Sequence, residues 1–165
     1  MRSLINGQVK SDEWVFGEPG TADDGKLGSG AVRWLVDWLE LKEDHRNLVT
    51  ALVIAPDDDI EAAIQRAGPA IFASELIIVH FDSFTDGRGY TTARLLRRSG
   101  YCGDLRVAGD YGRDQMFYLS RCGFSSFALQ SHHDPDDLLC GLDDFTLAYQ
   151  SAPDSCVDAL QLHVG

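Results

Sequence analysis

No stretch of this chain stays apolar for the roughly 20 residues that a helix needs to cross a bilayer. The opening residues, MRSLINGQVKSDEW, also lack the apolar core of a secretory signal, so the expected location is the cytoplasm, with no membrane partner. Cysteine is scarce. The four, at 102, 122, 140 and 156, lie far apart with no C-x-x-C among them, which removes the usual ligand spacing of zinc and iron–sulfur sites and leaves reduced structural thiols as the expectation. G-x-G-x-x-G, Walker A and G-x-S-x-G patterns are all missing, so the usual dinucleotide and ATP sites are not expected. Basic residues are in deficit: 14 Lys and Arg stand against 26 Asp and Glu, a net charge of −12. General nucleic-acid binding needs clustered positive charge and is not expected either.

What is present reads as one soluble α/β domain. The 165 residues can build one real core but not two, and 44% hydrophobic with 24% charged residues is ordinary for a globular chain. Residues 3–16, with Asn6-Gly7, suit a short strand or hairpin. The segment 18–30 reads as an exposed loop, and 31–41 as a helix, with Trp34/Trp38 and Leu35/Leu39 spaced i, i+4. From residue 48 a strand–helix alternation sets in. Continuous apolar runs at 48–55, 76–81, 104–109 and 125–130 fit parallel strands buried on both faces. Between and after them, 57–67, 90–98, 113–122 and 134–149 fit helices, with Gly68, Gly100 and Gly123 placed to end the first three. The second and third of these units, from Asp86 to Tyr101 and from Asp110 to Phe124, repeat weakly at an offset of about 24 residues, the length of one βα unit. Four or five such units are too few for a closed eight-stranded barrel. The expectation is a parallel sheet of repeated βα units, as an open sheet or partial (β/α) barrel, with a short N-terminal strand or hairpin segment. The domain spans 1–150, divided into an N-terminal segment 1–47 and a βα core 48–150, and 151–165 is expected to be a flexible tail.

Crossovers of one hand place every strand-to-helix loop on one edge of such a sheet, where ligands of parallel α/β folds bind. That edge collects Asp82, Asp86 and Arg88, then Asp110 and Arg113, then His132. Asp86, Gly87, Arg88, Gly89, Arg113 and Gln115 form a candidate anion or cofactor site, in which the glycines permit positive φ and close backbone approach beside a helix start. The competing reading has Asp86 capping the loop and Arg88 pairing internally with Asp110 or Asp114. Asp110 and His132 are the candidate acid–base residues. Asp82 and Asp110 lack a histidine or glutamate at ligand spacing, so no metal is expected. His132 and His133, adjacent on an extended segment, would point apart. Residues 88–121 hold seven arginines against three aspartates, +4 locally and −16 for the rest. Helix-face arginines 94, 97 and 98 (Arg94, Arg97, Arg98) are therefore a candidate surface for an acidic partner.

The blocks Phe81-Asp82-Ser83-Phe84-Thr85-Asp86-Gly87-Arg88-Gly89-Tyr90, Ala93-Arg94-Leu95-Leu96-Arg97, Leu105-Arg106-Val107-Ala108-Gly109-Asp110, Arg113-Asp114-Gln115 and Arg121-Cys122-Gly123-Phe124 resemble a bacterial family of unknown function, number nine-thirty-four. The resemblance covers roughly residues 48–150. Family members often have proline where this chain has Asp82. They tend to be encoded beside sulfite reductase and adenylylsulfate-type reductases, and are often labelled probable oxidoreductases. The resemblance thus implies an accessory role in assimilatory sulfate and sulfite reduction, binding an anion or an acidic partner, with sulfite reductase or an adenylylsulfate-type reductase as the partner. Two alternatives stay open: an oxidoreductase using FMN or another phosphate-bearing cofactor, and a pure interaction module.

Overall fold

A computed structural model describes residues 2–11, 14 and 32–143. The expected loop at 18–30, the end of the last helix beyond 143 and the expected tail lie outside the described residues. The chain opens with β1 (Arg2–Ile5) and β2 (Gln8–Ser11), joined by Asn6 and Gly7 at φ 50° and 71°. Two consecutive left-handed residues make the type I′ turn, whose twist matches an antiparallel hairpin. Next come β3 (Val32–Trp34), α1 (Leu35–Glu40), α2 (Glu43–Arg46), β4 (Ala51–Ile54), α3 (Ile60–Ala67), β5 (Leu76–Phe81), α4 (Arg88–Arg98) and β6 (Asp104–Gly109). A short 3₁₀ turn at Arg113–Gln115 then runs into α5 (Met116–Arg121), followed by β7 (Ser126–Ala128) and α6 (Pro135–Asp143).

The seven strands form one sheet in the order β2-β1-β7-β6-β5-β4-β3. Strands β3 to β7 are parallel and adjacent in chain order, while β1 is antiparallel to both β2 and β7. With β2 and β3 at its two ends, the sheet is open, which decides between the two expected architectures. The N-terminal segment is part of this sheet rather than an appendage, since β1, β2 and β3 are three of its seven strands.

Strands wound in sequential order by crossovers of one hand carry all their helices on one face. The packing has this form. Leu52, Ile54, Ile77, Val79, Phe81, Leu105, Val107 and Phe127 are buried with Trp38, Ile60, Ala63, Leu96, Leu119 and Leu138 from the helices. The alternate strand residues Val32, Ala51, Val53, Leu76, Ile78, Ala108 and Ala128 form a second, smaller cluster on the other face, against Trp14 and Trp34. Trp34, expected in a helix, is the last residue of β3.

Helices α4 and α5 end alike. Gly100 and Gly123 take φ of 99° and 104°, and the next residues, Tyr101 and Phe124, donate N–H to the Leu96 and Leu119 carbonyls at 3.0 and 3.2 Å. These six-to-one bonds close each helix in a Schellman arrangement, and both aromatic rings are then buried. The repeat seen in the sequence is therefore a repeat of helix ends.

One side chain joins the two repeats. Arg97 is 6% exposed. Its guanidinium donates to the Gly123 carbonyl from Nε (3.0 Å) and Nη2 (2.8 Å), and from Nη1 to Tyr101 O (2.8 Å) and Gly103 O (2.9 Å). It also lies 5.4 Å over the Tyr101 ring. Burial pushes its pKa down, yet arginine's intrinsic value keeps it charged. Arg97 is thus withdrawn from the expected docking surface: α4 turns it inward, where it collects carbonyls that the helix ends leave unpaired.

Arg97→Ala leaves three carbonyls, one buried and two half-buried, without their donor and should cost about 3–5 kcal/mol, the usual range for breaking a buried charged network. Arg97→Lys, which lacks the planar fork, should recover less than half of that. Urea denaturation of the three proteins checks this, and a loss below about 1 kcal/mol, the level of an ordinary hydrogen bond, contradicts the stapling role.

Candidate functional site

The C-terminal ends of β4, β5, β6 and β7 lie along one edge, and their loops do converge. The loop after β5 is tied to the loop after β6 through the backbone of one residue, Phe84. Phe84 N–H donates to Asp110 Oδ2 at 2.9 Å, and Phe84 C=O accepts from Gln115 Nε2 at 2.8 Å. Gln115 Oε1 closes its own turn on Gly112 N–H at 3.0 Å, and Asp110 N–H donates to Phe81 O at 2.8 Å. Asp110, expected as an acid–base group, and Gln115, expected at an anion site, thus both hold the Phe84 backbone in place. The phenyl ring stays 42% exposed above them.

Asp86, Gly87, Arg88 and Gly89 form the start of α4, as the sequence places them, but in a different electrostatic arrangement. Asp86 accepts from the Arg88 backbone N–H at 3.0 Å, so a carboxylate already occupies the helix N-terminus. The Arg88 side chain folds back on that carboxylate, with Nε 3.0 and 3.1 Å and Nη2 2.6 Å from its oxygens, and Nη1 bonds Asp57 from the loop after β4. These hydrogen bonds hold the Asp86 carboxyl below its usual range and raise the Arg88 guanidinium above its own. The internal pairing foreseen for Arg88 is present, with Asp86 and Asp57 as partners in place of Asp110 or Asp114.

Neither glycine takes a positive φ. Gly87 sits at φ −83°, open to any residue. Gly89 is helical and buried, and a Cβ there would run into the Phe81 ring. Close packing of the first turn of α4 on β5, not close approach of a ligand, requires glycine at 89. Arg113 reaches across to α6 and pairs with Asp137 at 2.8 Å.

Asp82, weighed with Asp110 as a pair, turns elsewhere: its Oδ1 is 2.9 Å from Nδ1 of His80, whose ring meets Trp34 edge-on at 5.9 Å. His132 and His133 do not point apart. Their rings lie 4.2 Å between centroids, because 131–132 is a turn and not extended chain. His132 is exposed. His133 accepts from Gln130 N–H at Nδ1 (3.1 Å), so its proton is on Nε2, which donates to Tyr111 O (2.9 Å). Burial pushes its pKa down. Among the described residues no group of three or more His, Cys, Asp or Glu is arranged to hold a metal ion. No helix among them is long and apolar enough to cross a membrane. Cys122 is buried and Cys140 exposed, both as free thiols, whereas Cys102 is disulfide-bonded, so reduced thiols hold at two of the three described cysteines.

The loops after β4, β5 and β6 carry Asp57, Asp58, Asp59, Asp82, Asp86, Asp110 and Asp114, and the only arginines among or beside them are Arg88 and Arg113. Both are already paired with carboxylates. This edge is acidic.

The positive charge lies on the helix layer. Of the seven arginines in 88–121, Arg97 and Arg106 are buried. Arg106 bonds Ser126 Oγ at 2.9 Å and Asp104 at 3.0 Å on the other sheet face. With Arg88 and Arg113 paired, Arg94, Arg98 and Arg121 remain. Neither α4 (RGYTTARLLRR) nor α5 (MFYLSR) contains a carboxylate. Arg94 lies over the Tyr118 ring at 5.4 Å and Arg121 over Phe117 at 5.9 Å. Tyr118 is 45% exposed. It packs on Tyr90 at 4.9 Å, which packs on the core ring of Phe81 at 5.3 Å. Tyr90, Phe117, Tyr118 and Arg121 were not singled out from the sequence. The signal was there in the absence of Asp and Glu from 115–122.

Residues 51–158 match the family described as bacterial protein of unknown function (DUF934), and the chain belongs to it. No match was found among curated proteins or among solved structures.

The hydrogen bonds of His133 suit a neutral ring, since a proton on Nδ1 would face the Gln130 N–H. Its folded pKa lies below the unfolded value, so its contribution is complete above about pH 6.5 and is lost as pH falls below that. Asp86 adds a second loss only below about pH 4, its unfolded carboxylate value. Urea denaturation from pH 8 to 5 should show stability falling with acid, and His133→Gln should flatten that slope. An unchanged slope contradicts the assignment.

Proposed function

We propose that this member of the bacterial family of unknown function is a docking accessory of assimilatory sulfite reduction, binding an acidic reductase subunit through the outer face of α4 and α5. The observation that carries this is the carboxylate-free pair of helices with Arg94, Arg98 and Arg121 around an exposed, core-anchored Tyr118, in a chain whose net charge is −12. Exposed arginine and tyrosine on a rigid base are the side chains that dominate protein interfaces. The sulfite context comes from the family's genomic company, and either sulfite reductase or an adenylylsulfate-type reductase fits it.

The strand edge supports an anion less well. A sulfite or a phosphate-bearing cofactor arriving at Arg88 meets Asp86 and Asp57 already on the guanidinium. The same carboxylates weigh against an FMN phosphate there, so the oxidoreductase reading gains nothing from this loop.

Arg94→Glu with Arg98→Glu should weaken binding to the reductase by on the order of tenfold or more, because close charge pairs across interfaces couple by roughly 1.5 kcal/mol upward. Arg88→Gln, at the paired strand-edge site, should leave binding unchanged. Calorimetric titration of the purified reductase reads both, and an unaffected double variant overturns the assignment of this face.

A further inference from the structure

We infer that the α4–α5 face recognises carboxylate groups of a protein surface around one apolar side chain, and that Tyr118 is the anchor onto which that side chain packs. This rests on the docking reading of the face but not on which protein docks there.

The chemistry follows from what the face holds. Arg94 and Arg98 are four residues apart on α4, so both project from one side of the helix. Both are exposed, and neither has a carboxylate partner among the described residues. A guanidinium presents a planar fork that matches a carboxylate bidentately. Beside these arginines stands the exposed aromatic ring of Tyr118. Arg94 covers one part of the Tyr118 ring, and Tyr90 supports it from below. The ring is therefore held before a partner arrives, so docking orders little of the surface. Three separated arginines beside an aromatic ring do not make the continuous basic track that a phosphate backbone requires. The remainder of the chain carries a large negative excess, which repels any polyanion that does not find this face. Attraction is thus local, and wrong orientations are opposed by the aspartate-lined strand edge.

The test is an anisotropy titration of the full chain with a dye-labelled glutamate-rich peptide carrying one central leucine, beside a single-stranded oligonucleotide of equal charge. The peptide should bind, more weakly as salt rises. Arg94→Glu with Arg98→Glu should abolish binding. Tyr118→Ser should weaken it severalfold while leaving the salt dependence unchanged, a separation that a merely destabilised variant would not give. Circular dichroism confirms that each variant is folded. Tighter binding of the oligonucleotide overturns the carboxylate assignment, and peptide binding indifferent to Arg94 and Arg98 overturns the face. If the peptide binds as described and neither reductase does, the sulfite-pathway reading fails while this inference stands.

Discussion

A single buried guanidinium holds successive βα units in register. Helices that end in a left-handed glycine leave carbonyls turned inward, and in a sequentially wound sheet those carbonyls accumulate along one layer. Arg97 gathers three of them, from Tyr101, Gly103 and Gly123, spanning the end of one unit and the end of the next. A neutral side chain could not satisfy so many acceptors, and a lysine could not reach them in one plane. The position of α5 against α4 depends on this contact, and so does the spacing of the aromatic and cationic groups on their outer face.

The charge of the molecule is sorted by element rather than spread evenly. Aspartates cluster at the strand ends, where they serve the backbone: Asp86 at the start of α4, Asp59 at the start of α3 through the Ala62 N–H, and Asp110 on the Phe84 peptide. Arginines populate the helix layer. Paired groups at the edge neutralise one another, whereas the unpaired ones on α4 and α5 project a field. Local architecture thus sets the polarity of the surface, and a net charge alone would hide it.

Much of the fold was legible because it rests on local rules. Apolar runs of strand length, glycines after helices, and Asn6-Gly7 each carry their geometry within a few residues. The site was legible only as a location. The second partner of Arg88, Asp57, lies 31 residues away, and the reason for Gly89 is the Phe81 ring on the preceding strand. The inward turn of Arg97 depends on Gly123, so no window of sequence around 97 could separate it from Arg94 and Arg98. The paired rings of His132 and His133 needed the turn at 131–132, where the sequence reading placed an extended segment.

The antiparallel hairpin has a consequence for biosynthesis. Strand β1 lies between β2 and β7, with Ser3 facing Ala128. Strand β1 precedes the other strands of this sheet in the chain, so it cannot meet its long-range neighbour until β7 has left the ribosome. Until then the hairpin waits with one edge bare, and closing that seam is among the most non-local events in the folding of this sheet, the kind that slows a topology down. The outer strand β2 is exposed along its whole length and carries Lys10. A charged outer strand discourages edge-to-edge association between chains during that wait.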